Sequence, residues 1–249
     1  MKHWKEFQFD VNGLDITARF TQENIDDIFL PLLRNLTDRY REKEERQIVF
    51  LAAPPAVGKS TLVNFLTWLS REHEELQEIQ AVGLDGFHYH QDYILSHTVT
   101  QKDGTVLPMK SVKGSPETYD AARFAKKIVA LRKENVMWPI YSRKLHDVVE
   151  DQILVDGSII LVEGNWLLFG EGEWNRIKDL CDYSIFISAR EEMLKDRLID
   201  RKMKGGLTRE EAEAFYLTGD GVNVRRTLAG SQKADFTLEL TADGDFEKK

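Results

Sequence analysis

Cysteine is nearly absent: Cys181 is the only one in 249 residues. A single thiol excludes an intramolecular disulfide framework and fits a reducing compartment. It sits in Leu180-Cys181-Asp182-Tyr183, just ahead of an apolar run, and reads as a small packed residue. Positive charge is also in short supply. Lys and Arg number 34 against 42 Asp and Glu, a formal net charge of −8. That balance argues against a general nucleic-acid binder, which carries a basic excess, so any basic groove must be local. No apolar run approaches the ~18 residues of a membrane span. Met1-Lys2-His3-Trp4-Lys5-Glu6 has no apolar segment of the signal-peptide kind. The expectation is a cytoplasmic protein with no membrane or nucleic-acid partner. Internal repeats and low-complexity segments are missing too. What remains is one large domain, or a domain with an appended lobe, long enough to bury a sizeable core.

Alternating apolar runs, Phe7–Val11 and Leu14–Phe20, flank Asn12-Gly13, a strong hairpin signal. A helix is expected from about Asn24 to Lys43, with Ile25, Ile28, Phe29, Leu32 and Leu33 as its apolar stripe. Pro31 predicts a kink or a late start. Glu42-Lys43-Glu44-Glu45-Arg46 reads as a charged linker, which makes residues 1–46 an appendage. The hairpin could pair with another chain, which leaves a homodimer open; the sequence does not reveal the oligomeric state. Beyond it, short apolar strands (Gln47–Ala52, Ile79–Leu84, Ser158–Glu163, Tyr183–Ser188, Phe236–Leu240) alternate with helical stretches such as Asp120–Lys133 and Arg190–Lys204. That alternation over residues 47–249 predicts an α/β fold, a doubly wound parallel sheet with helices on both faces. Ligands of such sheets bind beyond the carboxyl ends of the strands.

Ala53-Pro54-Pro55-Ala56-Val57-Gly58-Lys59-Ser60 follows the first of these strands and opens a helix at Thr61. It fits the phosphate-loop pattern G-x-x-x-x-G-K-[ST], with Ala53 where the first glycine is expected. Backbone N–H groups and the helix N-terminus can cradle a polyphosphate there. Lys59 would reach the β- and γ-phosphates, and the Ser60 hydroxyl would bind Mg²⁺. Alanine is tolerable at position 53 if φ stays negative. Asp85, at the end of the second strand, is the candidate base for an acceptor hydroxyl. Asp85-Gly86 as a simple turn is the competing reading. Glu163 ends an apolar strand, where an acid can be held near Mg²⁺, directly or through water. Lys113-Gly114-Ser115-Pro116-Glu117-Thr118-Tyr119-Asp120 reads as a helix start, with Lys113, Glu117 or Tyr119 facing the substrate. Trp138–Asp147 lacks clear periodicity. Arg143 and His146 within it are donors suited to an anionic or hydroxylated ligand, although a solvated loop accounts for any single residue here equally well; Tyr89 and Tyr141 join Lys113, Arg143 and His146 as candidate acceptor-pocket residues. Arg197 and Arg201 lie one helical turn apart and could stabilise a transferred phosphoryl group from a mobile lid, with Gly205-Gly206 as hinge. Asp220-Gly221-Val222-Asn223 predicts a turn. His88 and His90 lie at i and i+2, which is not zinc spacing.

The phosphate loop, Asp85-Gly86-Phe87-His88, Lys113–Asp120 and Glu163-Gly164-Asn165 together resemble the phosphoribulokinase/uridine kinase/bacterial pantothenate kinase superfamily, from about Gln47 to Leu240. Glu163-Gly164-Asn165-Trp166-Leu167-Leu168 and the hairpin-helix are similar to its branch of nucleoside/nucleotide kinase family proteins, some labelled fructose-transport kinases. Pro139-Ile140-Tyr141-Ser142, with His146-Asp147-Val148, resembles a segment of pantothenate kinase. The resemblance implies a P-loop kinase domain with a helical lid over about 197–227, ATP as donor with Mg²⁺, and Asp85 as base. It also implies an acceptor pocket lined by the Asp85–His88 and Lys113–Tyr119 segments, with Asn165 nearby. The chain is shorter than pantothenate kinase and its lid differs.

The leading expectation is therefore an ATP-dependent kinase acting on a hydroxyl of a small polar metabolite. Uridine-like nucleosides, sugars and pantothenate all offer one. A nucleotide-hydrolysing conformational switch is the alternative of another class, but no water-positioning residue, partner surface or guanine-specifying motif stands out.

Overall fold

The computed structural model describes residues 2–10 and 15–249. Strands β1 (Trp4–Asp10) and β2 (Asp15–Thr21) pair antiparallel from Trp4↔Thr21 to Asp10↔Asp15. The Asn12-Gly13 turn lies outside the described residues. Thr21 caps α1 (Gln22–Asn24), accepting a hydrogen bond from the Asn24 amide. A π-helical turn, Ile25–Phe29, then leads into α2 (Leu30–Lys43). Pro31 explains that join. It has no N–H to give and its ring crowds the carbonyl a turn earlier, so it is tolerated in the first turn of a fresh α-helical segment.

The central sheet begins with β3 (Gln47–Ala52), α3 (Lys59–Glu72) and β4 (Ile79–Gly83). A connecting region follows, with α4 (Gln91–Ser96), the small hairpin β5 (Thr98–Thr100) and β6 (Val106–Pro108), α5 (Ala121–Leu131), and the hairpin β7 (Val136–Ser142) and β8 (Asp147–Val155). The chain returns to the sheet with β9 (Ile159–Gly164) and β10 (Tyr183–Ala189). Helices α6 (Glu191–Lys204), α7 (Arg209–Phe215) and α8 (Gly221–Gly230) precede β11 (Phe236–Leu240) and β12 (Phe246–Lys248). The strand order is β12-β11-β10-β3-β9-β4, parallel except for β12.

Every residue of β3 is buried, because both sheet faces are covered. Val49 and Leu51 enter one core with side chains of α2, α3 and α6; Ile48, Phe50 and Ala52 enter the opposite core with those of α5. This is the doubly wound α/β architecture that the strand-helix alternation predicts. The N-terminal hairpin and helix pack onto the same face as α3. Phe7, Phe20 and Phe29 surround Phe65 of α3 with ring centroids 4.8, 4.1 and 5.6 Å away. Among the described residues, no helix is long and apolar enough to cross a membrane.

Two segments depart from the sequence reading. Residues 138–147, which show no periodicity, belong largely to the β7–β8 hairpin, whose register shifts between Trp138 and Ile140. The irregularity at Pro139 breaks the two-residue alternation that would have revealed a strand. The turn expected at Asp220–Asn223 is instead helical: a π-helical turn, Tyr216–Asp220, runs straight into α8. Gly221 is there for close packing, since a Cβ would come within 2.7 Å of the Tyr216 ring.

Phe65 is fully buried at the junction of hairpin, helix and phosphate-loop helix. Phe65→Ala should cost about 3–5 kcal/mol of unfolding free energy, as large aromatic deletions in packed cores do. A denaturant titration with an unchanged midpoint would show that the hairpin is not part of this core.

Candidate active site

The sheet register assembles the site. Glu163 of β9 pairs with Leu51 of β3 on one side and Gly83 of β4 on the other. The loop after β3, the acid ending β9 and the residues just past β4 therefore share the carboxyl edge of the sheet. In the loop, Ala53 is fully buried and is not among the residues with positive φ, so its methyl group does not strain the start of the loop. The left-handed positions are Ala56 (φ 65°) and Gly58 (φ 97°). Gly58 is the N-cap of α3 and supplies no capping side chain. Leu62 N–H is the first to bond back, to the Gly58 carbonyl. The amides of Lys59, Ser60 and Thr61 have no hydrogen-bond acceptor among the described residues, the arrangement that receives a phosphate at a helix N-terminus.

Lys59 curls over the loop, its Nζ donating to the Pro54 carbonyl at 3.2 Å. Burial pushes its pKa down, while the Glu163 and Asp85 carboxylates oppose that shift. Glu163 is pushed up by burial, with Lys59 pulling the other way. The Ser60 hydroxyl donates to Glu163 Oε1 at 2.7 Å. A hydroxyl and a carboxylate oxygen this close to the phosphate loop fit a hard cation such as Mg²⁺, which keeps several waters and completes its shell with phosphate oxygens. Among the described residues, no three His, Cys, Asp or Glu side chains cluster at metal-ligand spacing.

Asp85 follows β4 in a short 3₁₀ turn, Leu84–Phe87, and is exposed to the cleft. Gly86 is more than a turn residue: a Cβ on it would overlap the Pro139 carbonyl of β7. Trp138 of the same strand donates its indole N–H to the Gly83 carbonyl at 2.9 Å. The β7–β8 hairpin thus clamps the segment carrying Asp85. The Tyr119 hydroxyl donates to Asp85 Oδ1 at 3.1 Å, and its ring stacks on buried His88 with centroids 3.7 Å apart. Burial, then the Asp85 charge, drives the Tyr119 phenol well above its ordinary range, so it remains a donor. Burial lowers His88, leaving its imidazole neutral near pH 7.

The remaining acceptor-side candidates separate into two groups. Lys113 Nζ donates to Gln91 Oε1 at 2.7 Å and to the Tyr141 hydroxyl at 2.9 Å. Of His146 it meets only the carbonyl, at 3.4 Å. Arg143 and His146 are exposed near the hairpin tip and make no side-chain hydrogen bond among the described residues. Asn165 is half-buried just past β9. Tyr89, Glu117 and Tyr119 line a cavity of about 970 Å³, with Phe169, Trp174 and Arg226. Glu117 is taken up by Arg226, which grips both its oxygens at 2.6 and 3.0 Å. Burial works to raise the Glu117 pKa, but this bidentate pair carries it below the usual carboxylate range.

Arg197 and Arg201 lie on α6, and Arg197 Nη1 donates to the Ala56 carbonyl of the phosphate loop at 3.3 Å. Arg201 is exposed, 3.9 Å from Asp220. Gly205 closes α6, and Gly206 adopts φ 102°, which a side chain would strain. Arg226, Gln91 and the clamp from β7 carry no signal in the sequence. Arg226 meets Glu117 across 109 positions, and no spacing rule spans that distance.

No family model matches the chain. It is 39% identical over 242 residues to the uncharacterized protein YggC of Escherichia coli K12, covering 97% of this chain and 98% of that protein. A pantothenate kinase from Listeria monocytogenes is 28% identical over 276 residues, covering 94% of this chain and 86% of the enzyme. In structure, the chain superposes on a candidate fructose transport system kinase from Silicibacter sp. TM1040 with a TM-score of 0.73 and 28% identity, covering 84% of this chain and 98% of the other.

The burial of Glu163 has a pH signature. A carboxyl whose folded pKa is raised adds stability below its unfolded value, and that stability is lost as pH rises through the folded value. Glu163→Gln removes the costly charged form. Without nucleotide, its melting midpoint should exceed that of the parent at about pH 8, and the gap should narrow toward about pH 5. A constant gap, or a lower midpoint for the variant at about pH 8, would contradict this.

Proposed function

This chain belongs to the phosphoribulokinase/uridine kinase/bacterial pantothenate kinase superfamily of P-loop kinases, and on that premise we propose that it transfers the γ-phosphoryl group of ATP to a hydroxyl of a nucleoside, sugar or similar polar metabolite. The observation that carries this reading is the setting of Asp85. One of its oxygens is held by Tyr119, and its carboxylate is close enough to oppose the pKa shift of the phosphate-loop Lys59. The second oxygen is left for an acceptor.

In the reaction, the acceptor oxygen bonds to the γ-phosphorus while the bond to the β-phosphate oxygen breaks, and ADP leaves with that electron pair. Asp85 accepts the hydroxyl proton as the new bond forms. The amides of Lys59, Ser60 and Thr61 and the Lys59 ammonium hold the phosphates in line. Ser60, with Glu163 acting directly or through water, would hold Mg²⁺, which would offset phosphate charge. Arg197 already leans on the phosphate loop, and Arg201 one turn further along α6 would follow it over the transferring group when the lid closes. The Arg226–Glu117 pair ties α8 to the acceptor-side segment.

The 28% identity to a pantothenate kinase keeps pantothenate among the candidate acceptors. The cavity beside Tyr119 supports an acceptor-dependent reaction over bare hydrolysis by a switch protein. A cytoplasmic setting, which supplies ATP and Mg²⁺, accords with this reading.

Asp85→Asn should lower kcat by about 10²–10⁴-fold while ATP binding, followed by calorimetry, stays nearly intact. Parent-like turnover would rule out Asp85 as the base. Tyr119→Phe should retain Asp85 but lose its orienting hydrogen bond, lowering kcat by about 3–100-fold. If Tyr119→Phe changed only KM, the phenol would be a substrate contact and not a positioning group.

A further inference from the structure

Resting on the kinase reading and deepening it, we propose that the acceptor is an uncharged alcohol with a planar or apolar body, not one bearing a carboxylate or phosphate. The cavity of about 970 Å³ adjoins the transfer site through Tyr119, whose ring lines it and whose hydroxyl holds Asp85. Three cations lie on its wall, and each is already engaged. Lys102 meets Glu171 at 2.7 Å, Arg225 meets Glu191 at 2.8 Å, and Arg226 meets Glu117 at 2.6 Å. The Arg226 pair is the most committed. Both Glu117 oxygens take part, and the guanidinium also lies 5.3 Å from the Phe169 ring centroid and 5.7 Å from that of Trp166. An anionic ligand that recruited Arg226 would leave the half-buried Glu117 carboxylate without its partner, the costly way to break such a pair.

The same wall carries two exposed carboxylates at its rim. Asp103 and Glu173 line the cavity with no ion-pair partner among the described residues; Asp103 accepts the backbone N–H of Thr105. An anion in the cavity would therefore meet like charge, and the least exposed cation of its wall, Arg226, is already held by Glu117, while Lys102 and Arg225 pair at the solvent-exposed rim. What the wall offers freely is aromatic surface. Tyr89 and Tyr93 stack with centroids 4.4 Å apart and present most of it, while Phe169 and Trp174 also line the cavity but are nearly buried. Such faces favour flat or apolar groups, and the phenol hydroxyls can meet neutral polar edges.

The test uses matched pairs that share the reactive hydroxyl and differ in one charged group: uridine against uridine 3′-monophosphate, and pantothenol against pantothenate. Binding is measured by calorimetry on the full chain with Mg²⁺ and a non-hydrolysable ATP analogue, and ADP formation is followed separately with ATP. At least one neutral compound should bind, and should do so about tenfold or more tightly than its charged counterpart. In the Asp103→Asn/Glu173→Gln double variant, that preference should shrink while the neutral compound still binds. Tighter or equal binding of the anion in either pair, or binding of neither neutral compound, would overturn the inference. So would a preference unmoved by the double variant. Neutral binding with no ADP formed would support the cavity's preference and count against the kinase reading instead.

Discussion

The parallel register of β3, β9 and β4 is the constraint on which the site depends. Leu51, Glu163 and Gly83 lie side by side across three strands. The phosphate loop, the candidate Mg²⁺ acid and the candidate base consequently emerge from one sheet edge. Backbone hydrogen bonds and two buried cores fix that edge, so its geometry does not rely on flexible side chains. A slip of one residue would turn Glu163 to the opposite face and place a core residue beside Ser60.

The electrostatics follow from the same crowding. Lys59, Glu163 and Asp85 share a partly desolvated space, and each shift at Lys59 and Glu163 is led by burial and opposed by the neighbouring opposite charge. Without nucleotide this is a costly arrangement, since buried charges recover their hydration only in part from one another. A polyphosphate with its metal would supply the missing countercharges: anionic oxygens for Lys59 and the loop amides, a cation for Glu163. The electrostatic cost thus sits where the ligand can relieve it. Tyr119 and His88 form the rigid wall on the other side, both kept neutral by burial.

Much of this was legible in the sequence because it is written in local patterns. The strand, loop and helix around Lys59 announce themselves by periodicity and by the glycine and lysine spacing. Asp85 and Glu163 are visible as acids ending apolar runs. Ala53 stands where the loop pattern has a glycine, yet the left-handed positions of the loop are Ala56 and Gly58. The β7–β8 hairpin was hidden because Pro139 interrupts its alternation, and it clamps Gly86 by a contact no sequence rule describes. Gly221 suggested a turn, but it makes room for the Tyr216 ring within a continuous helical path. Arg226 is an ordinary helical arginine until folding brings it to Glu117. Local chemistry is thus readable residue by residue, whereas the candidate acceptor pocket is built from long-range contacts.

The central claim is that phosphoryl transfer has an acceptor. The most direct measurement is the stoichiometry of ADP to phosphorylated product, by mass spectrometry, across a panel of nucleosides, sugars and vitamin precursors with Mg²⁺ and ATP. ADP should form only when an acceptor is present, in equal amount with its phosphate ester. ADP and free phosphate released at the same rate with and without every acceptor would contradict the claim.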